Sequence, residues 1–183
     1  MFLFFMLIQL GLLLAGLIWM GLAGYTAIKN PDPLRDSLAF LLLFSGLVGL
    51  ERLFSWLFPK SFQAAEALHG QLGAAMRAMR AQGINHHQAL LLAVASGVGE
   101  EVFFRGALQN ALVGGWTGVF LQALVFAALH PVTDRRAWSY PLFIFLGGVM
   151  FGAAYQLTGS LVPGILAHYL HNARSFYQLL DSK

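Results

Sequence analysis

The sequence predicts an all-α fold, a polytopic membrane helix bundle of about six transmembrane helices plus one interfacial amphipathic helix. Of the 183 residues, 58% are hydrophobic and only 10% are charged, and the mean hydropathy is +0.67. A soluble domain carries about 25% charged residues, so lipid is the expected solvent. In addition, apolar segments close to the roughly 20 residues that cross a bilayer recur along the chain.

The predicted spans are separated by turn residues such as Asn30-Pro31-Asp32-Pro33 and Gly114-Gly115. We see one domain, residues 1–183, and no internal repeat. The six predicted spans are Leu3–Ile28, Ser37–Leu57, His86–Leu108, Trp116–His130, Ser139–Leu157 and Leu161–Leu180.

The segment Ser61–Gln82 has a different pattern. Its apolar residues Leu68, Leu72, Met76 and Met79 recur at helical spacing, with polar side chains elsewhere around the helix. This pattern predicts an amphipathic helix in the membrane interface, with a soluble connecting helix as the alternative.

The charge distribution predicts an orientation. With six spans, one side of the membrane receives most of the basic residues, which places both termini in the cytoplasm by the positive-inside rule. The net charge of +3 is small and forms no basic stripe, which argues against a nucleic-acid partner. The basic residues on that side are Lys60, Arg77, Arg80, Arg135, Arg136, Arg174 and Lys183, against Lys29 and Arg35 opposite.

Ionisable residues at membrane depth are costly, so each is a candidate functional residue. In the third span, Glu101 and Arg105 are four residues apart and can pair on one helical face. Glu100 points about 100° away from Glu101, which leaves it available as a general base. A purely structural ion pair is the alternative interpretation for Glu101 and Arg105, but it leaves Glu100 unexplained.

Two later spans also carry proton-active side chains. His130 precedes Pro131, so it is expected at a helix end near water. His168 and Asn172 are four residues apart and share a helical face. Taken alone, a histidine such as His130 is more often an interfacial residue than a catalyst. The His168–Asn172 pair, taken alone, is explained equally by helix packing.

Together these groups suit the hydrolysis of an amide. A carboxylate and a histidine can deprotonate a water, while a second histidine and an asparagine donate hydrogen bonds to an oxyanion. Glu100, His130 and His168 also resemble the ligands of a catalytic zinc ion. The HExxH pattern is absent, so the spacing leaves open whether the cofactor is Zn²⁺ or none.

The three motifs occur in order on three hydrophobic spans: Glu100-Glu101-x-x-x-Arg105, Phe126-x-x-x-His130 and His168-x-x-x-Asn172. In this arrangement the chain resembles the CPBP family of intramembrane proteases. These are the CAAX proteases and bacteriocin-processing enzymes, also called the Abi family and related to the type II CAAX prenyl endopeptidase. The motif-bearing catalytic core is then 86–180.

The resemblance implies a role for each motif residue. Glu100 and His130 would activate the water, and His168 and Asn172 would stabilise the oxyanion. Glu101 and Arg105 would support the site. The family has been described both as metalloproteases and as metal-free glutamate proteases. Its substrates imply a peptide or protein partner in the lipid bilayer, either lipidated or a bacteriocin leader peptide.

Two other functions use the same polar residues. One is a non-enzymatic membrane protein, a bacteriocin-immunity or scaffolding factor that binds a partner. The other is an ion or proton transporter. Outside the motifs, Glu51 and Arg52 are expected to pair with each other.

Overall fold

The computed structural model describes residues 2–29, 32–64, 83, 85–112, 114–130, 132 and 134–181. Most of the predicted interfacial segment Ser61–Gln82 lies outside these residues. Within the described part all secondary structure is helical, apart from a single bridge between Ile28 and Ser160. The predicted fold class, a bundle of apolar helices, is confirmed. The six principal helices are α1 (Phe2–Ala23), α2 (Pro33–Leu57), α3 (His86–Glu100), α4 (Gly115–Ala128), α5 (Ser139–Thr158) and α6 (Val162–Asp181).

The third helix does not end where α3 ends. Its chain continues as a π-helical segment, Glu101–Leu108, and then as a short α-helical turn, Gln109–Ala111. A 3-10 turn, Arg135–Ala137, precedes α5. The continuous stretch from His86 to Ala111 corresponds to the predicted third span. No pattern in the sequence indicated the π-helical geometry.

Local chemistry moves several helix ends from the predicted positions. Helix α2 begins before Ser37, because the Asp32 side chain accepts a hydrogen bond from the Arg35 amide at 3.0 Å and Pro33 suits the first turn. Helix α1 ends at Ala23, before the positive φ of Gly24. Helix α3 begins with a capping box between Asn85 and Gln88.

Three of the described helices are long and apolar enough to cross a membrane on length and composition alone, namely α1, α2 and α5. Helix α4 is apolar but has only 14 residues. Helices α3 and α6 carry the polar motif residues, which lower their mean hydropathy. Large apolar side chains remain uncovered on the outer faces, as expected for surfaces in contact with lipid; Leu22, for example, keeps 87% of its surface exposed.

The core is built around α3. Helix α1 packs along α3 and its π-helical continuation, α6 packs against α3, and α2 packs against α5 and α6, while α4 pairs with α5. Glycines permit the closest approaches. A Cβ atom on Gly97 would lie 2.9 Å from the backbone nitrogen of Tyr169, and one on Gly16 would lie 3.0 Å from the backbone of Phe103.

An ion pair joins α2 to α6 and corrects one sequence-based expectation. Glu51 does not pair with its neighbour Arg52. Its two oxygens instead accept hydrogen bonds from Nη1 and Nη2 of Arg174, at 2.8 and 2.9 Å. The pairing is bidentate because the planar guanidinium matches the carboxylate, and adjacent side chains on a helix point in different directions.

Replacing Gly97 by alanine is expected to destabilise the bundle. The added methyl group meets backbone atoms of α6 that cannot move aside, and such overpacking costs about 1–3 kcal/mol. The matched control is Gly49→Ala in α2, where a Cβ atom meets nothing within 4 Å. There we expect a neutral or slightly stabilising change, because alanine favours the helix. Thermal unfolding in detergent measures both, and equal effects at the two positions would contradict this packing.

Candidate active site

The π-helical segment begins at Glu101, the second of the two adjacent glutamates. Glu100 and Glu101 themselves keep right-handed helical backbone angles, φ −71° with ψ −41° and φ −66° with ψ −42°. Both carboxylates reach the same imidazole on α6, that of His168. Such π-helical turns are frequent at functional sites.

His168 lies between the two carboxylates. Its Nδ1 is 3.0 Å from Oε1 of Glu101, and its Nε2 is 3.6 Å from Oε2 of Glu100. A carboxylate only accepts hydrogen bonds, so Nδ1 carries the proton shared with Glu101. The longer distance to Glu100 is not a hydrogen bond. Nε2 is therefore the atom of His168 that is left to interact with a substrate or a water.

Glu101 is held by a fully buried cation. The Nη1 atom of Arg105 donates to Oε1 of Glu101 at 2.8 Å, and the two residues keep 0% and 1% of their surface exposed. The guanidinium lies between two aromatic rings, 4.7 Å from the centroid of Phe126 and 4.9 Å from that of Phe151. The predicted pair of Glu101 with Arg105 is present, and it orients His168 as well as joining helices.

A glycine lets α6 approach the same carboxylate. A Cβ atom on Gly164 would lie 2.7 Å from Oε2 of Glu101. Any larger residue at this position would displace Glu101 from His168.

Glu100 has a partner that the sequence reasoning missed. The Nε2 atom of Gln9, in α1, donates to Oε1 of Glu100 at 3.0 Å. Gln9 is the only carboxamide in α1, and the 22-residue helix has no charged side chain. An isolated amide in an otherwise apolar span was the available signal, because such a group needs a buried partner.

Asn172 is held one helical turn beyond His168 by a second residue that the motifs do not include. Its Nδ2 donates to the Oγ of Ser96 at 2.8 Å, and that hydroxyl in turn donates to the carbonyl of Ala93. Ser96 is buried in α3. The primary amide of Asn172 has a second N–H, which remains available to a ligand.

His130 lies just beyond the carboxyl end of α4 and is half-buried. Its Nδ1 is 2.8 Å from the carbonyl oxygen of Phe126, so Nδ1 carries the proton and Nε2 is the potential acceptor. The Phe126 ring packs on His130 with centroids 4.5 Å apart and also contacts His168 at 6.4 Å. Within the described part of the chain, no hydrogen bond or ion pair joins His130 to Glu100.

The residues that could hold a metal are not grouped as a metal site. Among the described residues, no three His, Asp or Glu side chains lie close enough together to hold an ion. His168 faces a carboxylate at each ring nitrogen, and Nδ1 of His130 faces a backbone carbonyl. In this arrangement Glu100, His130 and His168 do not fit the three-ligand pattern of catalytic zinc.

Two buried glutamines extend the polar layer beyond Arg105. The Nε2 atom of Gln122 donates to the carbonyl of Gly148 at 2.9 Å, and the same carbonyl is 3.4 Å from Nη2 of Arg105. Gln109 donates to the carbonyl of Gly152 at 3.1 Å. These contacts attach α5 to the helices that carry the motif residues.

Comparison with known families identifies the carboxyl-terminal half of the chain. A family model described as Rce1-like, type II CAAX prenyl endopeptidase, matches residues 84–174. This range contains all six predicted site residues, and it confirms the resemblance inferred from the three motifs. No curated protein and no solved structure matches the chain significantly.

Removing the buried cation is expected to destabilise the protein strongly. Arg105→Met leaves Glu101 charged and without its cation, which costs about 3–5 kcal/mol for a buried pair. The double variant Arg105→Met with Glu101→Gln is expected to recover a large part of that loss, because the unpaired charge is gone. Thermal unfolding in detergent measures the difference.

The control for Arg105→Met is Arg136→Met, since Arg136 pairs with Asp134 in an exposed loop. We expect little change in unfolding there. A double variant as unstable as Arg105→Met alone would show that the charge of Glu101 is not what the cation balances.

Proposed function

Residues 84–174 belong to the type II CAAX prenyl endopeptidase Rce1-like family, and from this we propose that the chain hydrolyses peptide bonds near the membrane surface with Glu100 as the base. The chain is an intramembrane protease of the CAAX type, and its substrate is a peptide or protein. The observation that carries the proposed mechanism is the position of His168. One of its nitrogens is fixed by Glu101 while the other faces Glu100.

Charge balance supports this assignment of roles. With His168 protonated, the cluster contains two carboxylates, one guanidinium and one imidazolium, and is neutral as a whole. A neutral, hydrogen-bonded cluster is the least costly way to keep ionised groups at membrane depth. Glu100 is then a carboxylate and able to accept a proton. Nε2 of His168 is able to donate a hydrogen bond to an oxyanion.

The proposed reaction begins with a water that contacts Oε2 of Glu100. Glu100 takes one proton from it, and the oxygen forms a bond to the carbonyl carbon of the substrate. The carbonyl oxygen becomes an oxyanion, which accepts hydrogen bonds from Nε2 of His168 and from Nδ2 of Asn172. Glu100 then returns its proton to the amide nitrogen as the carbon–nitrogen bond breaks.

His130 is proposed to assist at the water. Its Nε2 is the acceptor left over after Nδ1 has bonded the Phe126 carbonyl. The aromatic ring of Phe126 connects His130 to the buried part of the site. This role stays a prediction, and the rate of a His130→Ala variant measures it.

The substrate and the orientation are part of the same proposal. The family suggests a lipidated peptide or a bacteriocin leader, which this site would cleave near the bilayer surface. The bias of basic residues suggests that both termini are cytoplasmic. Protease protection of tagged termini in sealed cells tests the orientation independently of activity.

Replacing Glu100 by glutamine is expected to abolish cleavage while the protein stays folded, because glutamine keeps the shape of the side chain but cannot act as the base. The measurement is cleavage of a quenched fluorescent peptide library by purified protein in detergent. Chelator treatment of the wild type separates two mechanisms, since loss of activity that zinc restores would favour a metalloprotease.

Persistence of cleavage in Glu100→Gln would contradict the assigned base. Absence of cleavage by folded wild type across a diverse library would instead favour the non-enzymatic, partner-binding function.

Replacing Asn172 by alanine is expected to lower kcat by about 10²–10³-fold, the usual effect of removing one oxyanion donor. Ser96→Ala is expected to give a smaller loss in the same direction, since Ser96 acts only by holding Asn172. Steady-state kinetics with a cleaved peptide measures both. A loss in Ser96→Ala as large as that in Asn172→Ala would show that the hydroxyl itself contacts the substrate.

A further inference from the structure

The side chain of Gln9 connects the first helix to the candidate base. Helix α1 lies outside the stretch matched by the family model. Its amide nevertheless donates to Oε1 of Glu100 at 3.0 Å, across 91 positions of sequence. Gln9 thus brings a hydrogen-bond donor from outside the family-matched stretch to this carboxylate.

We propose that Gln9 is a positioning residue for the reaction, a role that rests on the proposed function: by binding Oε1 of Glu100 it directs Oε2 toward His168 and the water. The two oxygens of Glu100 are divided between two helices. Oε1 faces the amide of α1, and Oε2 lies 3.6 Å from Nε2 of His168 on α6. A carboxylate held at one oxygen can rotate less, so the other oxygen stays aimed at the reacting atoms.

The backbone packing of α1 makes this contact specific. A Cβ atom on Gly99 would lie 2.6 Å from the carbonyl oxygen of Gln9, so the glycine is required for the two helices to meet at this level. Farther along, Gly16 of α1 meets the backbone of Phe103 in the same manner. Close backbone contact at Gln9 itself and again at Gly16 therefore sets the position of Gln9. The amide is held by the fold as well as by Glu100.

The amide of Gln9 can bind Glu100 whether Glu100 is ionised or protonated, because an amide has both a donor and an acceptor. Nε2 must face Glu100 while Glu100 is a carboxylate, because two acceptors would repel. Oε1 of Gln9 is buried and has no hydrogen-bond partner within the described structure. When Glu100 has taken a proton, rotation of the amide offers Oε1 as an acceptor for the new O–H. A single residue can thus hold Glu100 before and after proton transfer.

The charged groups around Glu100 do not duplicate this role. Glu101 can only accept hydrogen bonds, and the Nη1 atom of Arg105 is bonded to Glu101. His168 faces the other oxygen of Glu100. Tyr140, at the start of α5, interacts with Glu100 electrostatically. Only Gln9 approaches Oε1 from α1.

The experiment compares full-length wild type with Gln9→Met, which keeps the length of the side chain and removes the amide. The first readout is the infrared carboxylate stretch of Glu100, assigned as the band that Glu100→Gln removes. We expect that band to shift, because loss of an N–H donor changes the carboxylate bond order. The second readout is kinetic, with a peptide that the wild type cleaves. We expect kcat to fall about tenfold, equivalent to about 1.4 kcal/mol, with KM changed less than about twofold.

The matched control is Gln109→Met. Gln109 is also a buried glutamine, but its amide donates to the carbonyl of Gly152 and not to a carboxylate. We expect this variant to lose stability and to leave the Glu100 band in place. If Gln9→Met does not fold, Gln9→Leu replaces it, since it also removes the amide while staying apolar like the rest of α1.

The outcomes separate the two proposals. An unshifted Glu100 band and an unchanged kcat in folded Gln9→Met would overturn the role of Gln9 and leave the peptidase intact. A fall in kcat with the same band shift in Gln109→Met would also overturn it, because the effect would be one of general packing. A shifted band in a protein that cleaves no peptide would overturn the proposed function, and with it any catalytic role for Gln9.

Discussion

The buried contact between Arg105 and Glu101 is the interaction on which the rest of the site depends. Neither ion is tolerable alone at membrane depth, so each requires the other, and the pair fixes the part of the third helix where the π-helical segment lies. Phe126 and Phe151 enclose the guanidinium from α4 and α5. Because Glu101 also receives Nδ1 of His168, the same charge pair fixes α6 and selects the imidazole nitrogen that faces Glu100.

Helix geometry and nearby glycines give the two adjacent glutamates different surroundings. Glu100 and Glu101 have right-handed helical backbone angles, so their side chains diverge by about 100°. The two carboxylates nevertheless face the two ring nitrogens of the same residue, His168. Gly164 admits the Glu101 carboxylate, and Gly99 admits the backbone of α1. One carboxylate is therefore fully buried between Arg105 and His168, while the other bonds Gln9 through Oε1 and lies 3.6 Å from His168 through Oε2.

Only part of the site lies within the family-matched range. Residues 84–174 supply Glu100, His168 and the buried cation Arg105, but α1 supplies the hydrogen bond to Glu100. Helix α1 contributes little else that is polar and keeps much of its surface exposed. An apolar helix that carries one amide can therefore bind a carboxylate on another helix, provided that a glycine on the opposite helix allows contact.

The sequence by itself determined the fold class, the family resemblance of residues 84–174 and the pairing of Glu101 with Arg105. Apolar segment length predicts the helices because lipid offers no hydrogen bonds to an open backbone, and the fixed i, i+4 geometry of a helix was enough to pair Glu101 with Arg105.

The tertiary structure decided the contacts between helices: Glu100 with Gln9, Asn172 with Ser96, and Glu51 with Arg174 in place of Arg52. It also decided the π-helical turn and the packing of His130 against Phe126. Periodicity says which residues share a face of one helix, but the partner of that face depends on how helices distant in sequence pack, and no local pattern contains that information.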